Sequence, residues 1–105
     1  MPELLKILGY AVKVGASDVH LTVGSPPAVR IDGEIRFIQA EPLAPADTLA
    51  FAEQMLTPAQ KEKFFETGDF DLAYSVSGLG RFRVNLIRQR GSISIVMRHV
   101  KGKIL

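Results

Sequence analysis

The spacing of apolar residues changes along this chain in a way that separates helices from strands. Leu4, Leu5, Ile7, Leu8, Ala11 and Val12 recur at helical spacing, and Gly15 stands where a C′ glycine closes a helix. SDVHLTVG then alternates, with Val19, Leu21 and Val23 on one side and Asp18, His20 and Thr22 on the other, which predicts a half-buried strand. SPP ends it, and AVRIDGEIRFI reads as a hairpin around Asp32-Gly33. A strict two-residue loop there would pair Ile31 with Glu34 and set apolar residues against charges. The expected turn is therefore longer or bulged, matching Val29 and Ile31 with Ile35 and Phe37.

Pro45 suits a first helical turn, and Leu49, Ala52, Glu53 and Leu56 continue a second helix. Thr57 opens a third, with Pro58 at its first helical position, Gln60 completing a capping box and Gly68 supplying the stop. From Asp69 the alternation returns through DFDLAYSV, a turn at SGLG and the ribbon GRFRVNLIRQRGSISIVMR. Strands joined by short turns pair antiparallel. The predicted fold class is therefore α+β, an antiparallel sheet of five to six strands with helices packed mainly on one face. The closing KGKIL reads as a polar stub, as if the chain stopped inside a linker.

Composition narrows the function. At 105 residues and 47% hydrophobic content, one domain with a real core is expected. The absence of cysteine excludes disulfides and thiolate chemistry, and it fits a reducing, cytosolic setting. The apolar runs are too short to span a bilayer, and Pro2-Glu3 with Lys6 does not resemble a secretory leader. A net charge of +2 is too small to argue for nucleic acid, so the placement of charge must carry any argument about partners.

That placement is uneven. In the ribbon, Phe82, Val84 and Leu86 alternate with Arg81, Arg83 and Asn85, while Ile93, Ile95 and Met97 alternate with Ser94, Val96 and Arg98. Two registers keep both apolar sets on one face. A two-residue loop at Arg90-Gly91 sets Arg83 opposite Arg98, and a four-residue loop sets Arg81 opposite Arg98. Either way an arginine faces an arginine, which costs tenths of a kcal/mol to about 1 kcal/mol. The arrangement makes sense where a shared anion sits between guanidinium forks that suit phosphate oxygens. The plain alternative is a solvated face whose arginines splay apart or pair with Glu34, Asp69 or Asp71. Arg88 shares parity with Phe82 and Val84 and edges the core.

Other chemistry is thinly supported. His20 and His99 have no cysteine partners and no HExxH, so no metal is expected, and His20 is read as a strand residue bonded to nearby backbone. Asp69 and Asp71 share a face without a nucleophile beside them, and a salt bridge to the arginine ribbon is expected. Ser75 and Ser77 lack a base at readable spacing, and GxxxxGK[ST] does not occur in the chain.

GASDVHLTVGSPPAVRIDGEIRFI and GLGRFRVNLIRQRGSISIVMR together resemble the N-terminal domain of type IV pilus retraction ATPases, the PilT type among secretion motors. The resemblance implies a PAS-like domain over residues 1–100, with residues 101–105 beginning a linker to a RecA-like domain that carries the Walker motifs. It implies a hexameric cytoplasmic motor at the inner membrane, using ATP and Mg, whose partners are RecA-like domains of its own and neighbouring subunits and a membrane platform protein. It places Arg83 and Arg98 as the phosphate-approaching pair, with Arg81 and Arg90 as weaker candidates; no catalytic residue and no bound cofactor are expected in this segment alone. A free-standing PAS-like module with a ligand in its core is the alternative, and it needs polar residues on the apolar face. A nucleic-acid platform would need aromatics on the arginine face, where none is expected.

Overall fold

Backbone punctuation sets the helices. A computed structural model describes residues 3–100, so the KGKIL tail lies outside the described residues. Helix α1 runs Leu4–Lys13 and closes in a Schellman motif: Gly15, at φ 75°, donates to the Val12 carbonyl while Ala16 donates to Ala11. Helix α2, Pro45–Met55, starts on proline, and Asp47 reaches back to accept from the Ala44 N–H at 2.8 Å. Helix α3, Pro58–Thr67, has the expected capping box: Gln60 N–H donates to Thr57 Oγ1 at 3.2 Å and Thr57 N–H to Gln60 Oε1 at 3.0 Å. It ends at Gly68 in the left-handed region.

The strands are β1 (Asp18–Leu21), β2 (Ala28–Ile31), β3 (Glu34–Phe37), β4 (Asp69–Val76), β5 (Gly80–Gln89) and β6 (Ser92–His99). They form a six-stranded sheet in the order β3-β2-β1-β6-β5-β4, with every neighbouring pair antiparallel. The first strand is shorter than its alternation suggested: β1 stops at Leu21, and Val23 forms an isolated parallel bridge with Leu43. This is the α+β arrangement that the alternation of periods predicts.

Helices cover one face. Leu4 and Leu8 of α1, Phe51 and Ala52 of α2 and Phe64 of α3 are buried with Val19, Leu21, Val84, Leu86, Ile95 and Met97 of the sheet. Removing this much aliphatic and aromatic surface from water is the main source of stability. The opposite face is left open.

Turn chemistry decides two registers. At Arg90-Gly91 both residues have positive φ, 50° and 81°, and Gln89 pairs with Ser92. This is the two-residue loop, and Arg83 pairs with Arg98. The first hairpin departs from expectation: Ile31 does pair with Glu34, through a two-residue turn with Asp32 at φ 51° and Gly33 at φ 84°. The reason is physical. β3 is an edge strand exposed along its whole length, so burial does not enforce its register, and Asp-Gly favours the primed turn. Ile35 and Phe37 consequently fall on the open face.

Candidate functional site

Cross-strand pairing lines up side chains on the open face in rows. One row reads Ala73, Arg83, Arg98, Asp18, Arg30 and Ile35, from β4 across to β3. The next includes Asp71, Asn85, Val96, His20 and Ala28. Arg81, Arg83 and Arg98 line a recess of about 830 Å³ together with Asp18, Asp71 and Asn85. Sequence alternation places all three arginines on this side because their neighbours Phe82, Val84 and Met97 are taken into the core.

Asp18 is the one acidic residue of the row. It is only 8% exposed, yet it faces Arg30 on one side and Arg98 on the other. Ser17 Oγ donates to its Oδ1 at 2.6 Å, and Arg98 Nε lies 3.4 Å from its Oδ2. Arg98 nevertheless keeps 72% of its side chain exposed, so this contact is screened by solvent and holds the arginine only weakly. Arg81 and Arg83 form no ion pair among the described residues. The result is a recess lined by three arginines and two carboxylates, whose planar guanidinium forks have the chemistry to meet anionic oxygens.

Arg90 is not part of this group, since it occupies the turn at the far end of the β5–β6 ribbon. Arg88 lies on the helix side: its Nη2 donates to the Phe65 carbonyl and its guanidinium carbon sits 5.6 Å from the Phe65 ring centroid. A cation thus caps the last turn of α3.

Two expected contacts do not form. Asp69 and Asp71 do not bridge to arginine; both accept from Asn85 Nδ2, at 3.0 and 2.9 Å. Asn85 stands directly across from Asp71, which puts its amide within reach of both carboxylates. His20 does not bond to backbone: its Nε2 is buried without a partner among the described residues. The pairing of His20 with Ala28 and Val96 explains this, since neither side chain offers a polar atom. His99 instead lies on the core side, where its Nε2 is 3.0 Å from the Leu79 carbonyl and its ring 5.0 Å from that of Phe82. No group of metal-ligating side chains forms among the described residues.

The chain matches no protein-family model. Over 103 residues it is 34% identical to the type IV pilus retraction ATPase PilT of Pseudomonas aeruginosa, covering 98% of this chain and 30% of that protein. The chain is homologous to the N-terminal region of PilT. A crystal structure of the pilus retraction motor PilT with bound ADP superposes with a TM-score of 0.90 at 42% identity, over 100% of this chain and 31% of that one. The type IV pilus ATPase PilU of Pseudomonas aeruginosa is 31% identical over 97% of this chain and 27% of its own length. The ATPase DotB of Legionella pneumophila shares the fold, with a TM-score of 0.79 at 21% identity over 93% of this chain and 28% of that one. The chain therefore spans less than a third of the length of PilT and PilU.

Sequence reasoning placed the arginines on this face and missed the contact between Asp18 and Arg98. The available signal was its parity: Asp18 stands on the polar side of its strand, the side that β6 brings against Arg98.

Proposed function

We propose that this chain is the PAS-like N-terminal domain of a hexameric motor ATPase that powers type IV pilus retraction. Arg83 and Arg98 approach the phosphates of a nucleotide held by a RecA-like domain, and Arg81 assists from the same recess. The observation that carries this reading is the direct pairing of Arg83 with Arg98 on a face that the core does not use. Homology to PilT, a crystal structure of which has ADP bound, supports a nucleotide as the anion.

In that role the chain supplies charge and geometry. Guanidinium groups beside the β- and γ-phosphates stabilise charge that develops during transfer, and they hold ATP more strongly than ADP. Release of the γ-phosphate weakens their grip, which lets the two domains rotate against each other and turns hydrolysis into motion. Mg and the phosphate cradle belong to the RecA-like domain, because GxxxxGK[ST] is absent here. The motor works in the cytoplasm against a membrane platform protein. No helix among the described residues is long and apolar enough to cross a membrane. The alternative of a ligand-binding module is disfavoured because the recess lies on the open face while Phe64 and Phe82 fill the core.

The test is steady-state ATPase measurement on the full-length protein. Arg83→Ala and Arg98→Ala are each expected to lower turnover about 100-fold, as loss of one preorganised charge donor does, with the unfolding midpoint little changed. Wild-type turnover in both variants overturns the assignment.

A further inference from the structure

β3 carries its polarity the wrong way round. Glu34 pairs with Ile31 and Arg36 with Val29, so these charges stand on the helix side of the sheet, while Ile35 and Phe37 stand on the open side at 41% and 65% exposure. Both therefore present a substantial apolar surface to solvent. The strand also ends the sheet, with no neighbour beyond it.

Its free hydrogen-bonding groups can be assigned. Ile38 N–H donates inward to the Pro27 carbonyl at 2.8 Å. Antiparallel ladders alternate, so Glu34 and Arg36 also bond inward to β2, and the N–H and C=O of Ile35 and Phe37 point out from the edge. Such a row of unpaired groups beside apolar side chains is a template for another strand.

We infer that the β3 edge pairs with β3 of a second copy of this chain, antiparallel about a two-fold axis through Ile35. The charges select both the occupant and the register. Centring the pair on Ile35 sets each Glu34 opposite Arg36 of the second copy, brings the Ile35 side chains together and lays each Phe37 over Gly33 of the second copy. Centring on Arg36 would instead set arginine against arginine. The Ile35-centred register also uses the outward backbone groups of Ile35 for reciprocal hydrogen bonds. Glu34 and Arg36 already form an exposed ion pair within the strand, 3.2 Å apart, so exchanging it for two intermolecular pairs costs no charge its partner. A two-fold contact closes on itself, so the product is a dimer and not a fibre. The contact is short and buries less than the about 1,200 Å² typical of a lasting interface, so association is weak and concentration-dependent. The inference rests on the β3 edge and not on the motor reading.

Sedimentation equilibrium of the 105-residue chain from micromolar to millimolar concentration tests it. The wild type is expected to shift from monomer to dimer. Arg36→Glu sets like charges opposite each other on both sides of the axis and should weaken association about tenfold; the double variant Glu34→Arg with Arg36→Glu restores it. Both positions are exposed, and circular dichroism checks that each variant is folded. A wild type that stays monomeric at millimolar concentration assigns the edge to a different partner and overturns the inference. So does growth beyond a dimer, or a double variant no better than Arg36→Glu.

Discussion

Arg83 and Arg98 face each other across a strand pair, an arrangement that folding by itself disfavours. The nearly buried carboxylate of Asp18 eases that repulsion from one side only, leaving Arg83 without an ion-pair partner among the described residues. On the reverse side of the same strands, Phe82 is fully buried and its ring tilts against His99 at 5.0 Å. Phe82→Ala would leave a cavity there and should lower stability by about 3–5 kcal/mol, measured by urea denaturation. A loss below about 1 kcal/mol would show that the sheet collapses around the gap. Parity alone told these neighbours apart, because adjacent strand residues must point to opposite faces. The Asp18 contact was not legible, since it depends on β6 arriving beside β1 from the far end of the chain.

At the scale of elements, the helices are locally encoded and the hairpins are governed by their turns. Thr57, Gln60 and Gly68 define α3 through contacts a few residues apart, so a sequence pattern suffices to find them. The β5–β6 turn is different, because Arg90 occupies a left-handed conformation, φ 50°, that suits asparagine or glycine better. Arg90→Asn should therefore raise stability by up to about 1 kcal/mol, read as a higher melting temperature. If stability falls instead, the arginine side chain is making a contact that outweighs its backbone strain. The β2–β3 register departs from hydrophobic matching for a related reason: the core does not hold this strand, so the Asp-Gly turn governs its pairing.

For the whole molecule, the described fold is one sheet with helices on one side and a basic recess on the other. A guanidinium cluster alone does not make an ATPase, because in-line phosphoryl transfer also needs a phosphate cradle and a positioned nucleophile. The 105-residue chain is expected to show no ATP hydrolysis. Its affinity for ATP should be weak and should fall further as salt is raised, because the arginines are exposed and screened. A phosphate-release assay and a fluorescent-nucleotide titration check the two points. Robust turnover by this chain would contradict the division of labour proposed for the two domains.

Alternation and local capping were sufficient to derive the α+β class, the limits of α3 and the side of the sheet on which Arg81, Arg83 and Arg98 lie, while the second helix ends at Met55, one residue short of the Leu56 that its spacing included. Each of those features depends on residues close together in the chain. The partner of each arginine, the burial of Asp18, the Asn85 bridge to Asp69 and Asp71 and the exposure of Ile35 and Phe37 were decided only by the folded sheet. Strand order and register join residues far apart in sequence, and a shift of one position at a turn reverses which face every later side chain meets.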